Sequence, residues 1–201
     1  MVFGGSHGAK PVNEALIGAT PHWPDPMAVQ VLHACGRGVD EARIRAAWAN
    51  ADPAGRGLAV RVVSFIKRMD LAYAAADLVL SRAGASTIAE LTAAGVPAVL
   101  VPLHRATAGH QAANARVAAG AGGAVVVDEG GLGGPGLAAV VAALLADPQR
   151  LAAMGGAMRQ LGHPDAAAEL AVVVFDAAGG RPRDGLALEG RNGYRGMRDA
   201  G

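Results

Sequence analysis

Short apolar runs alternate along this chain with longer stretches in which small and apolar residues recur at helical spacing. Met1–Phe3, Ala28–Leu32, Ala59–Val63, Leu78–Leu80, Ala98–Val101 and Ala124–Val127 are each short, rich in Val or Leu, and bounded by Gly, Pro or polar residues, which predicts strands. Between them Pro11–Gly18, Asp40–Asn50, Leu71–Ala75, Ser86–Ala94 and His110–Ala119 read as helices. Leu137–Ala146, Pro148–Leu161 and Asp165–Phe175 add further helices after the last strand. Strands with so little polar alternation are buried on both faces, so the pattern predicts a parallel sheet covered by helices: a doubly wound, Rossmann-like α/β domain over residues 1–176.

Local signals mark several boundaries. Ser86 before an Ala-rich run, with Glu90 as an acid in the first turn, predicts a capped helix start. Gly95-Val96-Pro97 should stop that helix, and Asp147-Pro148 should separate the two late helices. From Ala177 to Gly201 the mixture of Gly, Arg and Asp has no period and predicts a disordered, solvated tail. Only Met1, Val2 and Phe3 precede Gly4-Gly5, short for a central strand, as though the chain began partway into one.

Composition narrows the function. Hydrophobic residues make up 52% and charged residues 17% of 201, which excludes a chain disordered throughout. A net charge of +1 leaves no electrostatic footprint for nucleic acid. The single cysteine, Cys35, precludes an intrachain disulfide and a thiolate zinc cluster. His7, His33, His104 and His110 lack metal-ligand spacing, so no metal site is expected. No G-x-S-x-G elbow is present to suggest a hydrolase. Neither a secretory signal nor an apolar run of the roughly 18–20 residues that span a bilayer is visible, which predicts a cytoplasmic protein.

Candidate chemistry lies at the carboxyl ends of the predicted strands, where open α/β sheets bind ligands. Gly4-Gly5-Ser6-His7-Gly8-Ala9 joins the first strand to the first helix. Its glycines permit close backbone approach, the helix start offers N–H groups, and Ser6 adds a hydroxyl, which together suit a diphosphate; a plain tight turn is the alternative. Ser81-Arg82-Ala83-Gly84-Ala85-Ser86-Thr87-Ile88-Ala89-Glu90 offers a second anion site at a helix start. Glu90 there can accept from the vicinal hydroxyls of a ribose, or else serve as a capping partner beside a surface ion pair of Arg82. His110-Gln111-Ala112-Ala113-Asn114 opens a later helix, and the Gln111 amide suits sugar hydroxyls. These residues assign no catalytic group.

These motifs, in this order, resemble the carboxyl-terminal domain of the MurG family of glycosyltransferases. The resemblance runs from Val2 to about Phe175 through GGSHGAKPVNEAL, VVSFIKRMDLAYAAADLVLSRAGASTIAELTAAGVPAVLVPL and GHQAANARVAAGAG. It implies the donor half of a GT-B enzyme. Such an enzyme moves N-acetylglucosamine from UDP to a lipid-linked muramyl-pentapeptide with inversion, without cofactor or essential metal. It further implies that Ser6, with Gly5, meets the diphosphate and that Ile66 offers its backbone to uracil. Ala85, Ser86, Thr87, Ile88 and Ala89 line the nucleotide beside Arg82, Glu90 takes the ribose, and Gln111 reaches the sugar with His110 adjacent. The acceptor, and peripheral contact with the inner membrane, belong in this family to an amino-terminal domain without counterpart here. Two alternatives stay open: a binding subunit that needs a separate acceptor-binding chain, and another GT-B enzyme such as a nucleotide-sugar epimerase.

Overall fold

The computed structural model describes residues 1–23, 29–52, 55, 57–103 and 109–178. Six strands, β1 (Val2–Phe3), β2 (Gln30–Ala34), β3 (Ala59–Val63), β4 (Val79–Ser81), β5 (Ala98–Leu100) and β6 (Ala124–Val126), form one sheet in the order β3-β2-β1-β4-β5-β6. Every pairing is parallel, as the doubly wound expectation requires. The helices are α1 (Lys10–Ala19), α2 (Glu41–Ala51), α3 (Met69–Ala74), α4 (Ala85–Ala94), α5 (His110–Gly120), α6 (Gly134–Leu145) and α7 (Pro148–Leu161). These elements make up a compact unit of residues 1–162; a second unit begins at His163, and its described part contains helix α8 (Ala166–Ala177).

Successive strand residues point to opposite faces, and both faces are apolar. On one, Val2, Leu80, Val99 and Val101 pack with Val12 and Leu16 of α1, Ile44 and Trp48 of α2, and Leu137, Val141 and Leu144 of α6. On the other, Phe3, Val79, Ala98 and Leu100 meet Tyr73 of α3, Leu91 of α4, Ala115 and Ala118 of α5, and Met158 of α7. Each fully buried Leu among these contributes about 1.5–3 kcal/mol relative to exposure. The continuous apolar strands thus follow from two-sided burial.

Local chemistry sets the helix ends. Gly95 terminates α4 in the left-handed region at φ 68°, as its sequence predicts. Asp147 accepts from Arg150 N at 2.9 Å while Pro148 opens α7. The cap of α4 differs from expectation. Its N-cap is Gly84, with no side-chain cap bond, and Ser86 lies inside the first turn with Glu90 one turn further on.

Strand β2 also begins and ends later than its apolar run suggests, and Ala28 falls outside the described residues. The strand continues through His33 because that polar side chain is satisfied internally. Trp48 Nε1 donates to His33 Nδ1 at 3.0 Å, so His33 Nε2 carries the proton and donates to Asn13 Oδ1 at 3.0 Å. The Asn13 amide in turn donates to Cys35 O at 2.9 Å. His33 is fully buried, and burial lowers its pKa from 6.5 to about 4.

A pH dependence of stability follows. Between about 6.5 and about 4 the unfolded chain binds a proton at His33 that the folded chain does not. The His33 contribution is therefore complete above that window and is lost as pH falls through it, at about 1.4 kcal/mol per unit. Urea midpoints should fall as pH drops from 6.5 toward 4, and the His33 ring resonances should stay at their neutral positions until the lower limit.

Candidate functional site

The winding reverses at β1. Connections from β1 lead through β2 and β3 to one sheet edge, whereas β4, on the other flank of β1, leads through β5 and β6 to the opposite edge. The loops after β1 and β4 therefore leave in opposite directions and open a crevice between them, where doubly wound sheets take ligands.

The first wall of the crevice is the turn after β1. Gly8 has φ 78°, and a Cβ built there would lie 2.0 Å from Cys35 O; one at Gly36 would lie 2.3 Å from Gly8 N. The turns after β1 and β2 thus press backbone on backbone. Arg37 N donates to Ser6 O at 2.8 Å, and the Asn13 amide donates to the same Cys35 carbonyl at 2.9 Å. What this support presents outward is Gly5, Ser6 and His7, all exposed, with Ser6 Oγ 3.1 Å from His7 Nδ1.

Beside that turn the Arg37 guanidinium stacks on the Phe65 ring, its carbon 3.7 Å from the centroid. Ile66 follows, half-buried against the α3–α4 side of the core. Ser64 N donates to Glu41 Oε1 at 2.6 Å, and Ser64 hydrogen bonding holds that carboxyl below its ordinary pKa.

The second wall follows β4. Arg82 is buried rather than paired on the surface. It donates to Glu129 Oε1 at 2.6 Å, to Val101 O at 3.2 Å and to Pro102 O at 3.4 Å, and so ties the ends of β4 and β5 to the loop after β6. The Asn114 amide of α5 donates to Ala83 O at 3.0 Å. With Gly84 supplying no side-chain cap, the amides of Ala85, Ser86 and Thr87 have neither an intrahelical partner nor a cap, and the helical ladder begins with Ile88 N donating to Gly84 O at 2.9 Å. Ala85, Ser86 and Ala89 are exposed and Thr87 and Ile88 half-buried along this edge.

Two polar side chains are already oriented. Tyr73 Oη donates to Glu90 Oε2 at 2.8 Å, and burial, reinforced by Glu90, pushes the Tyr73 phenol above its ordinary pKa. Leu103 N donates to Gln111 Oε1 at 3.0 Å, which leaves the Gln111 amide nitrogen to donate elsewhere. His110 is exposed at the start of α5. His104 lies outside the described residues, and among those described no group of His, Cys, Asp or Glu could hold a metal ion.

The sequence motifs thus gather at the carboxyl ends of adjacent strands. Sequence reading missed the supports: Tyr73, Asn13 and the inward course of Arg82. For Tyr73 a signal existed, since it is one of only two tyrosines and stands in an Ala-rich helix.

The profile of the glycosyltransferase family 28 C-terminal domain matches residues 1–170. The chain belongs to this family. Curated relatives of the family 28 domain include a UDP-N-acetylglucosamine–N-acetylmuramyl-(pentapeptide) pyrophosphoryl-undecaprenol N-acetylglucosamine transferase of Chlorobium limicola, 42% identical over 89% of this chain and 46% of its own length. The protein of that name from Nitratidesulfovibrio vulgaris is 46% identical over 84% of this chain and 44% of its length. The crystal structure of Acinetobacter baumannii MurG superposes with a TM-score of 0.77 and 34% identity, covering 87% of this chain and 48% of that one. A glycosyltransferase of kitacinnamycin aligns more distantly, with a TM-score of 0.58 and 26% identity. These likenesses agree with the expected carboxyl-terminal half of a GT-B glycosyltransferase. The family 28 domain here spans less than half the length of these relatives.

The Arg82 tie yields a stability prediction. Arg82→Met keeps the stem but strands Glu129 and two carbonyls, and should cost about 2–4 kcal/mol, read from urea unfolding. Glu129→Gln, which keeps an acceptor, should cost less.

Proposed function

We propose that the chain binds UDP-N-acetylglucosamine across the β1–β4 crevice and forms the donor half of an inverting N-acetylglucosaminyltransferase. The observation that carries this reading is the pairing of two anion-suited turns, Gly4–Gly8 and Gly84–Thr87, on the two flanks of the winding reversal. The names of the relatives supply the donor and the acceptor class, a lipid-linked muramyl-pentapeptide.

Each candidate residue has a role in this reading. Ser6 and the Gly5 backbone meet the diphosphate, joined by the first-turn amides of Ala85, Ser86 and Thr87. Ile88 and Ala89 continue the nucleotide edge beside the internally tied Arg82. Glu90 accepts from the ribose hydroxyls, the Ile66 backbone faces uracil, and Gln111 donates to the sugar with His110 adjacent. Charge develops on the diphosphate as the glycosidic bond breaks. Fixed backbone dipoles and a hydroxyl stabilise it without reorganising. The acceptor hydroxyl attacks the opposite face of the anomeric carbon, which inverts it.

Attack needs the acceptor held about 3–3.5 Å from that carbon, in line with the departing group. The greater length of the relatives supports a separate acceptor-binding domain that performs this positioning and rests on the inner membrane from the cytoplasmic side. Among the described residues no single helix is long and apolar enough to cross a membrane.

Calorimetric titration should show UDP-N-acetylglucosamine binding more tightly than NAD; equal or tighter binding of NAD would overturn the reading. Glu90→Ala should weaken UDP about ten- to a hundredfold, the loss of hydrogen bonds to a charged acceptor. With labelled donor and a lipid-linked muramyl acceptor, transfer should appear when an acceptor-binding domain is supplied and be absent from this chain alone. Equal turnover in both arms would place the acceptor site within this chain.

A further inference from the structure

We propose that Tyr73 is a positioning residue for nucleotide recognition: its buried hydroxyl holds the Glu90 carboxylate in the orientation that ribose binding uses. This rests on the assignment of Glu90 to the ribose made above.

Glu90 is exposed on the second turn of α4, where an unrestrained carboxylate samples several rotamers and loses that freedom when a ligand fixes it. Here one oxygen is held in advance. Tyr73 Oη lies 2.8 Å from Glu90 Oε2, while Oε1 has no bond to Tyr73. A carboxylate oxygen carries two lone pairs, so Glu90 keeps capacity for both hydroxyls of a vicinal diol after accepting from Tyr73.

The donor is itself fixed. The Tyr73 residue is 3% exposed, and its ring meets the edge of Phe3 with centroids 6.2 Å apart at 68°. Phe3 is the last residue of β1, directly before the Gly4-Gly5 turn. One aromatic contact and one hydrogen bond therefore connect the β1 side of the crevice to the carboxylate on α4. Burial also keeps the phenol protonated well beyond neutral pH, so it donates throughout the working range.

The test separates positioning from mere support of α3 against α4. UDP and 2′,3′-dideoxy-UDP are titrated into the parent chain, Tyr73→Phe, Glu90→Ala and the double variant, with thermal melts of each. Tyr73→Phe keeps the ring against Phe3 and should melt close to the parent. It should bind UDP about five- to tenfold more weakly, as loss of one hydrogen bond implies. It should bind dideoxy-UDP like the parent and add nothing in the Glu90→Ala background. An equal loss for both ligands, or a further loss on top of Glu90→Ala, would show a structural role and overturn the proposal. So would parent-like UDP binding by Tyr73→Phe while Glu90→Ala is weakened. Parent-like UDP binding by Glu90→Ala would instead overturn the ribose assignment itself, and the proposal with it. Should Tyr73→Phe not fold, 3-fluorotyrosine at position 73, a stronger donor of nearly the same shape, should tighten UDP and leave dideoxy-UDP unchanged; no difference between the ligands would overturn the proposal.

Discussion

Strand β1 has two paired residues, yet the geometry of the crevice depends on it. It lies between β2 and β4, and the winding changes direction there. Because Val2 pairs with both His33 and Leu80, and Phe3 with both Ala34 and Ser81, the ends of three strands are held level. The turns that follow them must then share a small space. The close contact of Gly8 with the Cys35 carbonyl is the local expression of that constraint: a side chain at either glycine would force the β1 and β2 turns apart.

Around this contact the polar groups divide into those turned inward and those turned outward. His33, Asn13 and Arg82 spend their hydrogen bonds inside, on Trp48, the Cys35 carbonyl, and the ends of β5 with Glu129. Burying such groups is costly unless each finds a partner, and once paired they resist displacement. Ser6, Glu90 and Gln111 are held by one contact each and keep free capacity toward solvent. The division suits the donor site proposed above, in which rigid backbone amides would supply the field and a few oriented side chains the selectivity.

Much of the fold was legible in the sequence. Strands buried on both faces leave continuous apolar runs, so the apolar pattern coincides with β3 to the residue and with β5 and β6 within one. Stops at Gly95 and Asp147-Pro148 depend on backbone freedom and a local hydrogen bond, which neighbouring residues decide. Two differences from the expected boundaries have separate causes. Strand β2 runs past its apolar stretch because His33 is neutralised by partners from two helices, and Ser86 lost the cap position to Gly84. At His33 polarity alone misleads, because tertiary partners satisfy the polar group.

By itself the sequence determined the alternation of elements, the two-sided burial of the sheet, and the residue types at each strand end, because periodicity and turn chemistry act over a few residues. Only the tertiary structure decided which strand ends are neighbours and which side chains reach across. Tyr73 meets Glu90 from 17 positions away, and Arg82 meets Glu129 from 47. An apolar or polar pattern reports how much of a residue is buried; it carries no record of what lies opposite. That is set by strand order and by how closely the small residues of this chain let its helices approach the sheet.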